Sequence, residues 1–294
     1  MNSKTVAILG ATGMLGSATY DELKDRYELT LVVRDKNKIK LLEDRYGGTA
    51  RHKVVEFDAA LLYRDFAAEN GQQSSSWNEL LTGIGDVRYV INAIGVTIPF
   101  VLENPALTFF INGGLPHLLA SAFRGKLIQI TTDCAYSGSE GFPYDEKSPK
   151  SPVDIYGLSK ILGEPAGCLT LRTSIVGREL EGHTGLLDWF LAQQGKTVTG
   201  FANQFWNGIT AKQFAKICDK VMSDPGKFPR SGLFHVFSTT ISKYEMLLKF
   251  KEKFSIDCEV SKDETRKLNR TLATIYDFNK ELNLPAFDEM LKEI

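Results

Sequence analysis

Short apolar runs rich in β-branched residues alternate with amphipathic segments over residues 1–175, and no other property of the chain narrows its fold as far. Residues 5–10, 28–34, 53–58, 88–95, 126–132 and 169–174 read as strands. Several are apolar almost throughout, as strands covered on both faces must be; a sheet with one wet face would alternate instead. Between them, residues 15–26, 36–46, 105–123 and 154–162 carry helical periodicity. Repeated strand-helix-strand order requires parallel strands joined by right-handed crossovers, so the prediction is a doubly wound, parallel α/β sheet.

Residues 61–85 break the pattern. Asn70-Gly71-Gln72-Gln73-Ser74-Ser75-Ser76 is polar and turn-like where one crossover helix belongs, and reads as a surface insertion. After Ser174 the regularity fades: 186–194, 211–223 and 243–254 look helical, 233–238 looks like a strand, and Pro225, Pro229 and Gly232 punctuate them. A smaller C-terminal α/β substrate-binding cap over residues 176–294 is expected, with the helix near 211–223 packing back on the first domain. The 35 Lys+Arg against 36 Asp+Glu leave a net charge of −1. That balance offers no general field for nucleic acid or a membrane surface. No run approaches the ~18 apolar residues of a membrane span, and Met-Asn-Ser-Lys-Thr leads straight into a strand, not a secretory signal. Cys134, Cys168, Cys218 and Cys258 form no CxxC pair, so reduced thiols and a cytoplasmic protein are expected. His52, His117, His183 and His235 are isolated, and no metal is expected.

Gly10-Ala11-Thr12-Gly13-Met14-Leu15-Gly16 stands between the first predicted strand and helix, the context that gives a glycine cluster meaning. The spacing is GxxGxxG, yet the same tasks can be assigned. Gly10 permits a tight turn, Gly13 lets backbone approach a pyrophosphate, and Gly16 allows close helix packing. Backbone N–H groups from Thr12 to Leu15, at the helix start, then face the anion. An acid ending the second strand would take the ribose 2′-hydroxyl; Val33-Arg34-Asp35-Lys36 places Arg34 there instead. A guanidinium grips a 2′-phosphate bidentately, helped by Lys36 or Lys38, so NADP(H) is favoured while Asp35 keeps NAD(H) open. Asp58, ending the third strand, can meet adenine's amino group, and Asn92-Ala93-Ile94-Gly95 ends the fourth beside the cofactor; both also fit plain turn chemistry.

Tyr156 and Lys160 lie four residues apart on a predicted helix, hence on one face. An ammonium beside a phenol favours phenolate and lowers the tyrosine pKa from about 10. Tyr156 then serves as proton donor to a ketone oxygen as hydride arrives, an effect typically worth roughly 10² to 10⁴ in rate. Thr132, ending the fifth strand, can hydrogen-bond the same oxygen. Alone, such a Tyr–Lys pair is usually an exposed helix face; after a nucleotide loop and a strand-ending Thr131-Thr132-Asp133 it reads as a catalytic site.

With these motifs the chain resembles an extended short-chain dehydrogenase/reductase, a Rossmann-type fold. Ile130-Thr131-Thr132-Asp133-Cys134-Ala135-Tyr136-Ser137-Gly138, Tyr144-Asp145-Glu146, the run from Tyr156 to Gly163-Glu164, and Leu171-Arg172-Thr173-Ser174 are similar to the dTDP-4-dehydrorhamnose reductases and related nucleotide-sugar reductases. The resemblance covers most of residues 1–215. It implies Thr132, Tyr156 and Lys160 as catalytic residues, with Tyr156 and Lys160 also against the cofactor, Asn112 as a supporting polar residue, and NAD(P)H as cofactor. It further implies a 4-keto-6-deoxy nucleotide-sugar substrate from deoxysugar or surface-polysaccharide biosynthesis, and a homodimer. Two departures matter. The related 4,6-dehydratases carry Thr-Asp-Glu because water elimination needs an added acid and base; here the third place is Cys134, so dehydration is not expected. The rhamnose-forming reductases commonly carry an aromatic after Arg-Thr-Ser; here it is Ile175, which leaves another hexose open.

Open α/β sheets bind ligands beyond the carboxyl ends of their strands, so the cap should close over Thr132 and Tyr156. Expected substrate walls are Val96 and the residues after it, Asp133, Tyr136 with its loop, and Phe205 and Trp206, which offer apolar surface to a base or sugar. Arg270 is the candidate cation for a diphosphate, although a solvated charged face fits Arg266-Lys267-Leu268-Asn269-Arg270 as well. Two other readings compete. One is a nucleotide-sugar epimerase or dehydrogenase that retains NAD; the other is a non-catalytic dinucleotide-binding regulatory subunit, against which an intact Thr132, Tyr156 and Lys160 argue.

Overall fold

Six of the predicted strands lie side by side in the computed structural model, which describes residues 4–68 and 74–294. They are β1 (Thr5–Leu9), β2 (Glu28–Val33), β3 (Lys53–Glu56), β4 (Tyr89–Asn92), β5 (Leu127–Thr132) and β6 (Leu169–Thr173). All pair in parallel, in the order β3-β2-β1-β4-β5-β6. Successive residues feed opposite faces: Ile8, Leu31 and Ile91 join one apolar core, Leu9, Val32 and Val90 the other. Both faces are covered by crossover helices α1 (Met14–Leu23), α2 (Ile39–Tyr46), α3 (Ala59–Ala68), α4 (Ser75–Ile84), α5 (Pro105–Phe109), α6 (Leu115–Ala122) and α7 (Ile155–Leu162). The continuous helix expected over 105–123 is interrupted: a π-helical turn, Phe110–Gly114, joins α5 to α6.

Two expectations need correction. Where one crossover helix was expected over 61–85, the described residues form two, α3 and α4, with Leu62, Leu80 and Ile84 packed against the sheet. Ser74 caps α4 by accepting from Trp77 N–H, and donates to Asp65 of α3 at 2.6 Å. Residues 70–73, the polar stretch that suggested an insertion, lie outside the described residues. Secondly, the strand predicted at 233–238 as part of the cap is Gly232–His235, a seventh parallel strand beside β6 in the main sheet. Helix Ala211–Ser223 supplies its crossover, burying Phe214, Ile217, Cys218 and Val221. It lies on α1 through Lys212–Asp21 (2.7 Å) and Arg26–Asp219 (2.6 Å) ion pairs. The chain therefore continues the strand-helix-strand logic beyond residue 175. The remaining cap is built from short strands, among them Gln204–Trp206 between Ile241–Ser242 and Leu268–Asn269, and from helices Leu186–Leu191, Lys243–Phe254 and Phe287–Lys292. No helix among the described residues is long and apolar enough to cross a membrane.

Candidate active site

The strand order reverses between β1 and β4, and in open α/β sheets ligands bind outside the carboxyl ends of the strands at such a point. Gly10 leaves β1 at φ +75°, where a Cβ would also stand 3.1 Å from the Ala93 carbonyl; a Cβ on Gly16 would stand 2.1 Å from the Gly10 oxygen. Both are glycines for internal reasons. Gly13 differs: it is exposed, and a Cβ there would meet only the Gly10 oxygen, at 3.4 Å. Its missing side chain serves what approaches from outside. The first turn of α1, at Met14 and Leu15, holds no acid and its start no side-chain cap, so its N–H groups fit a pyrophosphate.

At the end of β2, Arg34 is exposed and takes no ion pair among the described residues. Asp35, which kept NAD(H) open, is spent as a cap, accepting from Asn37 N–H at 2.9 Å. Asp58 similarly accepts from Ala60 N–H at 2.8 Å, the turn role that was its alternative. Asn92 is corrected from cofactor contact to positioning residue. It is fully buried, donates to Gln129 Oε1 at 2.8 Å and accepts from Ile94 N–H at 3.1 Å, shaping the Ala93-Ile94-Gly95 turn.

Thr132 ends β5 with its Oγ1 accepting from Cys134 N–H at 3.1 Å and donating to Asp133 at 3.2 Å. Helix α7 is pinned beside it. Asp154 caps its start by accepting from Gly157 N–H at 2.7 Å, and Cβ atoms on Gly157 or Gly163 would stand 2.3 Å from the Cys134 oxygen or 1.9 Å from the Asn112 oxygen. Sequence reading assigned neither glycine a task of its own, although Gly157 directly after the tyrosine and Gly163 at the end of the same run were visible signals. Asn112, in the π turn, accepts from Val96 N–H (2.8 Å) and donates to Val96 O (2.9 Å) and Ser159 Oγ (3.0 Å). It ties α7 to the loop after β4, a typical use of such a bulge.

Lys160 is buried, and burial lowers its pKa to about 8 against the opposing pull of Glu164. Its Nζ points at Gly95, where an added Cβ would stand 3.5 Å away, so the side chain is directed at the turn after β4. Lys160 does not depress Tyr156 as expected. Burial first and Cys134 second push the Tyr156 phenol above its ordinary value, with a Thr132 hydrogen bond opposing. Tyr156 therefore stays neutral, with a proton to give.

Of the expected substrate walls, Tyr136 is corrected to a core residue. It is wholly buried, stacks on Tyr144 at 4.3 Å, donates to Asp145 O at 3.0 Å and accepts from Arg172 Nη1 at 2.6 Å. Arg172 also donates to Glu164 (2.7–3.1 Å) and to His235 Nε2 (3.0 Å), which fixes His235 Nδ1–H toward Ala273 O (2.8 Å). Trp206 is likewise turned inward, 4% exposed and edge-on to Phe287; its strand neighbour Phe205 faces out at 38%. Arg270 is no solvated face: its Nη1 donates to Cys134 Sγ at 3.1 Å, two residues beyond Thr132, and Asp133 between them in the chain is buried. Among the described residues, no three His, Cys, Asp or Glu side chains stand together as metal ligands would.

A family model described as the RmlD substrate binding domain matches residues 4–272. A dTDP-4-dehydrorhamnose reductase of Streptomyces griseus is 43% identical over 67 residues, 22% of this chain and 22% of that protein. The chain thus spans well under two thirds of that relative's length. The spore coat polysaccharide biosynthesis protein SpsK of Bacillus subtilis (strain 168) is 25% identical over 263 residues, covering 87% of this chain and 81% of SpsK. Among solved structures, the Bacillus anthracis dTDP-4-dehydrorhamnose reductase in complex with NADP superposes with a TM-score of 0.72 at 19% identity, over 99% of this chain and 98% of that one. A UDP-N-acetylglucosamine 4-epimerase of Methanobrevibacter ruminantium reaches 0.74 at 15% identity, over 100% and 97%. At these identities the two structures share the fold.

Proposed function

Because the chain belongs to the RmlD substrate binding domain family, we propose that it is an NADPH-dependent reductase of a 4-keto-6-deoxy nucleotide-sugar, working in deoxysugar or surface-polysaccharide biosynthesis. One observation supports this reading: helix α7, which carries Tyr156 and Lys160, is pinned against the loop that follows Thr132 at the carboxyl end of β5, with Lys160 Nζ directed at Gly95 after β4, and Gly13 in the turn after β1 is exposed with room for an approaching group. NADPH, when bound, supplies hydride to C4. Thr132 holds the ketone oxygen, Tyr156 protonates it, and the Lys160 charge lies on the cofactor side. The names of the S. griseus reductase and of SpsK support the substrate class. Four free cysteines fit a reducing compartment, and we place the enzyme in the cytoplasm. A homodimer belongs to the same reading, with exposed Val153, Leu158 and Leu162 offering it an apolar face. The direct test is NADPH oxidation with a panel of dTDP-, UDP- and GDP-linked 4-keto sugars; turnover of none of them overturns the proposal.

Arg34 is assigned the 2′-phosphate. Charged hydrogen bonds of this kind contribute roughly 1.5–3 kcal/mol. Arg34→Leu is expected to raise KM for NADPH by about tenfold or more while leaving KM for NADH within about twofold; equal changes for both cofactors would refute the assignment. The lowered Lys160 pKa sets a second expectation. Below about 8 the side chain keeps its proton, and it loses it as pH rises through that value. The kcat/KM for reduction should therefore fall on the alkaline side, and Lys160→Arg should push that limb beyond reach. A flat profile across this range in the unaltered enzyme would contradict the role.

A further inference from the structure

Lys38 is one of two lysines expected to help Arg34 with a 2′-phosphate, and it is already engaged by a distant part of the chain. It ends the single helical turn Lys36–Lys38 directly after β2, a turn held by Asp35, whose side chain accepts from Asn37 N–H at 2.9 Å and whose carbonyl accepts from Lys38 N–H at 3.1 Å. The Lys38 ammonium forms an ion pair with Glu181. Glu181 comes 143 residues later, from the loop between strand Ile175–Val176 and helix Leu186–Leu191.

That loop is not slack. At its start, a Cβ on Gly177 would stand 3.4 Å from Met14 Cγ, in the first turn of α1. Arg178 Nε donates to the Asp188 carboxylate at 2.7 Å, and Glu179 N–H donates to it at 2.5 Å. The Glu179 carboxylate in turn accepts from Thr184 N–H at 2.8 Å, Thr184 Oγ1 at 2.6 Å and Gly185 N–H at 3.2 Å, while Leu180 packs on the core. These bonds close residues 179–185 on themselves and leave Glu181 exposed at the tip. The strap therefore runs from the turn that fits a pyrophosphate to the turn that follows Arg34, along the path expected for the adenosine half of a dinucleotide.

A 2′-phosphate that reaches Lys38 must take it from Glu181. The Lys38 side chain is 38% exposed and that of Glu181 61%, and an exposed ion pair is worth at most about fivefold in an equilibrium constant. A charged hydrogen bond to phosphate is worth about tenfold or more. The phosphate wins, but its gain is reduced by what the pair was worth, and the displaced carboxylate, tethered by the strap, stays close enough to oppose its charge. Lys36 has its own looser partner, Glu56, at 3.8 Å.

We propose that Glu181 is a cofactor-selectivity residue, which competes with the 2′-phosphate of NADP(H) for Lys38. The proposal rests on the dinucleotide reading and on the assignment of the 2′-phosphate to the end of β2.

NADPH and NADH differ only in the 2′-phosphate, so the ratio of their dissociation constants, from fluorescence titration of the full-length protein, reads that group alone. Glu181→Gln should raise the preference for NADPH by at least about twofold, and Lys38→Met should lower it by at least about twofold. Opposite signs from the two partners of one ion pair are what competition requires. A pair that merely held the strap in place would alter both dinucleotides alike, and in the same direction in both variants. Shifts of the same sign, or a shift below about twofold in either variant, would overturn the proposal. Arg34→Leu tells this failure from that of the underlying assignment. If the unaltered protein shows no preference for NADPH and Arg34→Leu changes nothing, the Arg34 assignment is what falls, and Glu181→Gln alone then decides: a preference that appears in it upholds the competition, and its absence overturns it. Binding of neither dinucleotide by the unaltered protein overturns both.

Discussion

Tyr156→Phe should lower kcat for NADPH-dependent reduction by roughly 10² to 10⁴ while leaving NADPH affinity within about twofold and the melting temperature unchanged. The reasoning is local. Tyr156 is half-buried on α7, whose position is set by Asp154, Gly157 and Gly163 and not by the phenol oxygen. Removing that oxygen therefore deletes the proton donor without loosening the helix. Burial keeps the phenol neutral, so the proton is present across the working range and its loss cannot be mimicked by raising pH moderately. Stopped-flow or steady-state NADPH oxidation measures the first quantity, and fluorescence titration of NADPH the second. Full activity in the variant would remove Tyr156 from the chemistry. A parallel loss of cofactor binding would make it a structural residue instead.

Glu164→Ala should lower the folding free energy by about 3–5 kcal/mol, the usual cost of stripping one partner from a buried ion pair. Arg172 is 1% exposed, and Glu164 accepts three of its hydrogen bonds. Without that carboxylate the guanidinium keeps only Tyr136 and His235, both neutral, as burial and Arg172 hold the His235 pKa down. Lys150 also loses a partner, but an exposed lysine changes stability little. Glu164→Leu combined with Arg172→Met should regain much of the loss, because no charge then remains in the core. Urea denaturation reads both. A single-variant cost below about 1 kcal/mol would show that the pair is not what holds this layer together. The same substitution withdraws the one group that raises the Lys160 pKa, so the alkaline limb of activity should move to lower pH at temperatures where the variant stays folded.

The strands were legible because burial on both faces leaves a direct mark: β1 and β4 are nearly unbroken apolar runs, and β2 ends on one. Tyr156 and Lys160 were legible because helical spacing is geometry, and the glycine turn because φ and close approach demand particular residues. What failed had no local signature. The π turn at Asn112 spells like an ordinary helix. Tyr136 looked ligand-facing because its partners Arg172 and His235 lie 36 and 99 residues away, and only the fold closes that network. Trp206 and Phe205 could not both face a ligand, because neighbours on a strand point to opposite faces, and the sequence does not say which face is dry; Trp206 took the dry one. Glu181 belonged to no motif, and its partner Lys38 lies 143 residues away in the turn after β2. The strand at Gly232–His235 was assigned to the cap because residues 175–206 interrupt the crossover that leads to it.

The most direct test of the central claim follows the hydride itself. The enzyme is supplied with NADPH deuterated at the transferable position and a dTDP-linked 4-keto-6-deoxyhexose, and the sugar product is read by proton NMR. The account predicts one deuterium at C4 for each NADPH oxidised, in the unaltered enzyme and not in Tyr156→Phe. Oxidation without label at C4, or no oxidation with any 4-keto nucleotide-sugar, would contradict it.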